Sequence, residues 1–397
     1  MMNKITVAGV GTGSKAHLTP ETQNAINEAD VIVSNSRFVN LIPNDKKIIQ
    51  LDNFNDTFTK IKNEAGKILI LVSGDAGLYS LLPLVKKFFP DENIKVLPGL
   101  SSLQILCARA CETWNDAEIF SGHGRELNVG AFLNTVERNK RTILFCDKVF
   151  SPQWACDKLK NFDDAEIFIG SNLGGENEIF LKGKPEDFLD KNFRELSIIL
   201  IKNNDVYQFK KKHPGDKDFL RKNNIVMTNE NVRAVILSKL ELTENSVLWD
   251  IGAGSGSVSV CAANENLSMK VHAIEKNPDA ADLVAENAGK FHLHNIQIHL
   301  GLASEIIKNL SAPTHVFIGG SGGELPKIFD ALIQIKNSVR IVTACVTLEN
   351  FNQAYNLMKN MKNFETTQIS VTSSKILNGD LTLMKANNPV VILCAQT

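Results

Sequence analysis

The residues best placed to do chemistry stand where apolar runs end in small residues. The sharpest case is Leu248-Trp249-Asp250-Ile251-Gly252-Ala253-Gly254-Ser255-Gly256, an apolar strand ending in an acid, then a Gly-x-Gly-x-Gly turn, then a helix. Small residues allow close approach of a ligand to the backbone, and a helix N-terminus adds unpaired N–H donors. A dinucleotide site would want a third glycine one residue later, where Ser257 stands. The next apolar run ends in Glu275, at roughly the 20-residue reach of an acid that accepts hydrogen bonds from ribose hydroxyls. An adenosine ligand without a pyrophosphate fits this pattern and suggests S-adenosyl-L-methionine. The alternative is a tight glycine turn with a surface glutamate.

Four further turns repeat the theme near the N-terminus. They are Gly9-Val10-Gly11-Thr12-Gly13, Ser73-Gly74-Asp75-Ala76-Gly77-Leu78, Pro98-Gly99-Leu100-Ser101-Ser102 and Ser121-Gly122-His123-Gly124-Arg125, each after an apolar run. Glycine turns after successive strands suggest one rim lined by backbone. Arg125 could grip a carboxylate through its bidentate fork, or be a solvated charge on a turn. In the second half Gly319-Gly320-Ser321-Gly322-Gly323 ends another apolar run, where ligands of open α/β sheets bind. Such a loop could lie against a broad flat ligand or simply be a loose connection. His292, His294 and His299 straddle a helix end and a strand, so packed or solvated imidazoles are expected. Cys107 and Cys111 lack a second pair to complete a zinc set. No metal site is expected.

The elements that must position these turns follow from alternating apolar runs and amphipathic stretches, the pattern of parallel sheets covered by helices. In the first half the runs predict strands at 5–10, 31–34, 67–73, 94–97, 118–120, 142–146, 165–170 and 197–201. Thr19 before Pro20 predicts a helix start. The pattern lapses around Lys210-Lys211-Lys212-His213-Pro214-Gly215, which predicts a linker. A second series then predicts a helix at 229–240 and strands at 246–251, 271–275, 296–300, 315–318, 340–343 and 390–394.

Composition narrows the function. Forty-three basic and 44 acidic side chains leave a net charge of -1, without the basic excess that coating nucleic acid requires. No apolar run reaches the roughly 20 residues of a membrane span. The first apolar stretch enters a glycine turn where a signal peptide would have its cleavage site. Seven scattered cysteines suit reduced, buried thiols better than a disulfide framework. A soluble, cytoplasmic protein is expected, with no nucleic-acid or membrane partner.

The second half resembles a class I methyltransferase domain. More narrowly, it resembles the C-15 methylating, decarboxylating methyltransferases of corrin biosynthesis, on Thr228, Arg233, Asp250–Gly256, Phe317–Gly323 and Ala344–Glu349. The resemblance implies that Thr228, Gly252, Ala253, Gly254, Ser255, Gly256, Glu275 and Ala303 contact S-adenosyl-L-methionine. Arg233 is then the expected carboxylate anchor, with Gly319 and Gly320 against the substrate. The first half is similar to the tetrapyrrole methylase family, two α/β lobes with the methyl donor between them. Its Ser-Gly-His-Gly-Arg segment resembles the C-5 methylating corrin enzymes. That similarity implies Gly74, Asp75, Leu78, Ser101, Ser102 and Cys146 as cofactor residues and Arg125 as a substrate anchor. Thr12 and Ala76 stand where that family usually has proline.

Together the halves resemble the fused precorrin-6 C5,15-methyltransferase (decarboxylating) family. The expected organisation is an α/β chain: a tetrapyrrole methylase domain at 1–203, a linker at 204–224, and a Rossmann-like class I methyltransferase domain at 225–397. The resemblance implies a reduced tetrapyrrole substrate (precorrin or cobalt-precorrin), two methyl transfers, loss of carbon dioxide from one acetate arm, and assembly as a homo-oligomer. Two rivals remain: an RNA- or protein-modifying methyltransferase, and a non-catalytic S-adenosyl-L-methionine-binding scaffold. An aromatic content of 7% is low for an RNA platform.

Overall fold

The apolar runs become three large sheets and a hairpin in the computed structural model, which describes residues 4–90, 93–123, 126–175, 177–193, 196–208, 213–376 and 381–397. The chain divides into two units. Unit 1 is Met1–Leu127 with Asn139–Val206, and unit 2 is Asn128–Arg138 with Tyr207–Thr397.

Unit 1 holds two five-stranded sheets. β1 (Lys4–Gly9), β2 (Val31–Ser34), β3 (Lys47–Gln50), β4 (Lys67–Val72) and β5 (Lys95–Leu97) run parallel in the order β3-β2-β4-β1-β5. Successive residues of β4 feed opposite cores: Ile68 and Ile70 join Ile5, Val7 and Phe58, while Leu69 and Leu71 join Ala8, Ile26 and Ile32. A strand covered on both faces reads as an unbroken apolar run, which is why β4 was legible. The second sheet comprises β6 (Glu118–Ser121), β7 (Arg141–Phe145), β8 (Ala165–Ser171), β9 (Ile179–Gly183) and β10 (Ser197–Asn203), in the order β6-β7-β10-β8-β9. Only its β6–β7 pair is parallel. The helix Pro20–Glu28 starts as its sequence predicts, with the Thr19 hydroxyl accepting from the Thr22 N–H at 3.1 Å.

Unit 2 is built on a seven-stranded sheet. Its strands are β11 (Val247–Ile251), β12 (Lys270–Glu275), β13 (Ile296–Leu300), β14 (His315–Ile318), β15 (Arg340–Cys345), β16 (Lys362–Ile369) and, after the hairpin β17 (Thr372–Ile376) and β18 (Thr382–Ala386), β19 (Val390–Gln396). In the order β13-β12-β11-β14-β15-β19-β16 six strands run the same way and β19 alone runs antiparallel, wedged between β15 and β16. The chain steps outward from β11 to β13, then returns to β14 beside β11. That reversal opens a crevice at the carboxyl ends of β11 and β14, where Gly252–Gly256 and Gly319–Gly323 lie. No described helix is long and apolar enough to cross a membrane.

Two expectations about organisation need correction. The stretch expected as a linker at 204–224 is largely built into unit 2. Phe219 is buried in its core, and the Leu220 N–H donates to Asn287 at 2.8 Å. Polar, Pro-Gly-containing sequence hid this, because one aromatic anchor gives no periodicity. The second correction is the helix Val129–Arg138, which lies within the expected first domain but belongs to unit 2. The Asn134 side chain donates to the Leu267 carbonyl at 3.0 Å and accepts from the His294 N–H at 2.8 Å. Arg138 donates to the carbonyls of Phe291 and His292. A Cβ on Gly130 would stand 2.8 Å from the backbone of His294 and Asn295. An amphipathic pattern shows that a helix has a face to bury, not what covers it.

The strands β3, β9, β16, β17 and β18 were not expected. β17 and β18 are exposed along their whole length, and β3 and β16 are mostly so, so no burial alternation marks them.

Candidate functional site

In unit 1 three of the glycine turns meet backbone to backbone. Gly11 and Gly74 exchange hydrogen bonds of 3.1 and 2.7 Å across an isolated bridge. A Cβ on Gly99 would stand 2.3 Å from the Gly74 carbonyl oxygen and 2.6 Å from Gly9. Only glycine permits that approach. Asp75 stitches the turns together: Oδ1 accepts from the Gly77 N–H at 2.8 Å and Oδ2 from the Gly99 N–H at 3.0 Å. Ser101 caps the helix Ser102–Ala110 in a reciprocal box with Gln104. Beside these turns opens a cavity of about 530 Å³, whose wall includes Gly11, Gly74, Asp75, Leu78, Ser101 and Ser102. Residues of the second sheet, among them Phe145 and Ile198, complete the wall. Five of the six residues expected to hold the cofactor in this half therefore share one cavity.

Cys146, the sixth, does not. Its side chain is buried among the core residues, its thiol donates to the Leu144 carbonyl at 3.7 Å, and burial pushes the thiol pKa well up. Arg125 lies outside the described residues. Sequence reasoning passed over Arg37, which follows β2 and lines the same cavity. The only available signal was its place just after a strand end on the glycine-turn rim.

In unit 2 the glycine turn is left-handed at Gly252, Gly254 and Gly256, with φ of 73°, 57° and 75°. A Cβ on Gly252 would stand 2.3 Å from the Gly320 carbonyl oxygen, and the amides of Gly319 and Gly320 both donate to the Ile251 carbonyl. The two glycine segments thus form one surface. Thr228 is brought to it as well, since the Ser255 N–H donates to Val226 at 3.1 Å. Ala303 is brought in through Gly301, whose N–H donates to the Glu275 carbonyl. The amides of the turn itself, ahead of the helix that starts at Ser257, are taken. Gly252 and Ala253 donate to Ile274, Gly254 to Glu275, Ser255 to Val226, and Gly256 to Ala253. The glycines serve conformation and close approach, while their amides hold the turn together.

Glu275 is buried and accepts three backbone N–H bonds, from Lys276 and Asn277 on Oε1 and from Gly254 on Oε2. Two carboxylate oxygens offer about four acceptor positions, so Oε2 retains one. Asp250 accepts on Oδ2 from the Ser259 N–H at 3.0 Å and the Ser259 hydroxyl at 2.5 Å. Burial raises its pKa to about 6, against those two bonds. Asp250 Oδ1 and Ser255 Oγ are buried with no hydrogen-bond partner. Unmatched polar atoms beside a glycine turn, with an acid that can still accept, fit an adenosine-bearing sulfonium donor. Ser255 also lines a cavity of about 530 Å³ with Met227, Asn229, Val232 and Leu283.

Arg233 is not a ligand anchor. It is only 1% exposed. Its guanidinium donates to the carbonyls of Thr228 and Pro214 at 2.6 and 2.9 Å, pairs with Asp216 at 3.1 Å, and stacks over Phe219. Its donors hold the 214–228 segment on the helix Glu230–Leu240. A cation the sequence reading passed over, Lys276, is exposed directly after Glu275, and its Nζ stands 2.8 Å from where a Gly322 Cβ would be. Among the described residues no group of three or more His, Cys, Asp or Glu is placed to hold a metal ion. His292 and His294 instead bond Glu137 at 3.2 and 3.4 Å, and His299 bonds His272 at 3.0 Å.

Residues 4–188 match the tetrapyrrole (corrin/porphyrin) methylases, and residues 220–397 match the precorrin methyltransferase domain. Over 184 residues, 46% of this chain, the sequence is 39% identical to the cobalt-precorrin-6B C(15)-methyltransferase (decarboxylating) of Salmonella typhimurium, covering 94% of that protein. It is 24% identical over 362 residues to a Sinorhizobium precorrin-6Y C(5,15)-methyltransferase [decarboxylating], a match covering 87% of this chain and 85% of that one. Among solved structures, a precorrin-6y C5,15-methyltransferase of Geobacter metallireducens is 35% identical, with a TM-score of 0.42, covering 45% of this chain and 93% of the other.

Proposed function

The chain belongs to the precorrin methyltransferases, and from that premise we propose that it methylates a precorrin or cobalt-precorrin twice in cobalamin biosynthesis. Unit 1 acts at C-5. Unit 2 acts at C-15 and removes carbon dioxide from an acetate arm. The observation that carries this reading is the presence of two separate glycine-turn sites, one per unit, each with an acid bonded to turn amides: Asp75 in one and Glu275 in the other.

S-adenosyl-L-methionine supplies an electrophilic methyl group when bound. Glu275, through the acceptor position left on Oε2, would take a ribose hydroxyl, and Gly252–Gly256 and Ala303 would flank the adenosine. In unit 1 the abutting turns at Gly11, Gly74 and Ser101 would form the donor's floor. The ring carbons of a reduced tetrapyrrole are enamine-like nucleophiles, so the protein's task is alignment and water exclusion more than base catalysis. The macrocycle itself takes up the electron pair released when the acetate C–C bond breaks. The same reading expects cytoplasmic action in a homo-oligomer.

Mass spectrometry of a precorrin-6 substrate, metal-free and cobalt-loaded, after turnover with isotope-labelled methyl donor tests the proposal. Two labelled methyls and one lost carboxyl group are expected. Only one methyl gained, or no carboxyl loss, would overturn the two-site reading.

A further inference from the structure

We propose that Arg37 is the carboxylate anchor of the unit 1 cavity, positioning an acetate or propionate arm of the tetrapyrrole for methyl transfer. The inference rests on the functional reading above and assigns the substrate grip within that site. Arg37 lines the cavity together with Gly74, Ser101, Tyr79 and His123. The cavity's described acid, Asp75, binds the Gly77 and Gly99 amides and makes no ion pair with Arg37. Among the described residues Arg37 makes no side-chain hydrogen bond and no ion pair. Arginine keeps its charge in any protein setting and offers five N–H donors in a planar fork that matches a carboxylate. Arg37 is exposed as a whole residue, and partial desolvation at the cavity wall lowers the pKa of its guanidinium.

The side chain has a firm base. Asn35 accepts from the Arg37 backbone N–H at 3.0 Å and caps the short helix Ser36–Leu41. The guanidinium carbon lies 5.1 Å from the ring centre of Phe38, which is buried. Gly13, at φ 88°, has that same ring 3.0 Å from where its Cβ would be. A first-turn glycine therefore makes room for the platform under Arg37. The contrast with Arg233 is direct: one guanidinium is saturated by its own chain, the other waits for an acceptor. A polycarboxylate substrate supplies one. So does the methionyl end of the methyl donor, and the test must separate the two.

In the full-length protein, Arg37→Ala should raise the KM for a precorrin-6 substrate in C-5 methylation about 10- to 100-fold, the loss of one charge-assisted hydrogen-bonded pair. Arg37→Lys should recover part of it. Affinity for S-adenosylhomocysteine, measured by calorimetry, should be unchanged, as should the thermal transition and C-15 methylation. An unchanged KM would overturn the proposal. A fall in S-adenosylhomocysteine affinity matching the rise in KM would overturn it too, since the guanidinium would then hold the donor. Failure of the functional reading looks different: wild-type protein would then transfer no methyl to C-5. In that event uroporphyrin, a carboxylate-rich tetrapyrrole, is titrated instead. Weaker binding by Arg37→Ala than by wild type keeps the anchor, and equal binding removes it.

Discussion

Arg37 follows β2 in unit 1 and Arg233 lies in the helix before β11 in unit 2, and the fold uses them in opposite ways. Arg233 is enclosed, stacked on Phe219, and spends its donors on Pro214, Thr228 and Asp216. Arg37 stands in the wall of a cavity with no described acceptor. The acids of the two units are more alike. Asp75 and Glu275 both accept from turn amides, yet Asp75 has one amide on each oxygen, joining two turns, whereas Glu275 holds a single turn and its own strand end. A charged residue beside a glycine turn is thus a structural clasp or a ligand contact according to how many of its hydrogen-bonding positions the chain has already filled. In unit 2 Arg233 is the clasp, while Glu275 keeps one acceptor position.

The strongest way to break this comparison is at Arg233. Arg233→Ala should destabilise unit 2 by about 3–5 kcal/mol, the cost of breaking a buried, hydrogen-bonded charge pair. Urea denaturation reads the loss, and the folded fraction should keep its affinity for the methyl donor. A variant of unchanged stability with a raised substrate KM would return Arg233 to the ligand.

Asp250 sharpens the comparison through pH. Its folded pKa, about 6, lies above the 3.8 of a free side chain, so the folded state holds the proton more tightly. The favourable contribution is fully present below about pH 4 and lost as pH rises through 6. Asp250→Asn should therefore match wild type near pH 4 and exceed it in stability at pH 8, by up to about 3 kcal/mol. Parallel thermal-stability profiles of the two proteins from pH 4 to 8 would remove Asp250 as a buried titrating group.

Glu275→Ala should weaken donor binding at unit 2 about 10- to 100-fold while leaving unit 1 untouched. Calorimetry that shows both sites weakened, or a single site per chain, would contradict the independence of the two acids. The smallest effect is expected at Gly320, whose Cβ would meet nothing within 4 Å. Gly320→Ala should stay within about 0.5 kcal/mol in stability. The same change at Gly252, with φ 73° and the Gly320 carbonyl oxygen 2.3 Å away, should abolish donor binding in unit 2. Equal tolerance at both positions would show that the two glycine segments are not pressed together.

The doubly covered strands were the most legible part of the fold, because burial on both faces leaves an uninterrupted apolar run: β4 and β14 are examples. The Thr19 cap was legible because capping is local chemistry. The edge strands and the β17–β18 hairpin were not, since exposed strands need no apolar alternation. Among the site residues, Gly74, Asp75, Leu78, Ser101 and Ser102 were expected together and line one cavity, while Cys146 turned inward. A thiol at a strand end can be lining or core with the same sequence around it.

What the sequence by itself determined was the set of turns: glycines after apolar runs, an acid one residue before the end of β11 and another ending β12, and the chain order of two α/β halves. These are properties of neighbours along the chain, fixed by backbone sterics and strand burial. Only the tertiary structure decided which charges were left over. Arg233 is filled in part by Pro214 and Asp216 from a segment that looked like a linker, the helix Val129–Arg138 joins the later half through Leu267 and His294, and Arg37 has no side-chain hydrogen bond or ion pair among the described residues. Hydrogen-bond satisfaction is a long-range count. A donor becomes available to a ligand only after every distant part of the chain that could reach it has been placed.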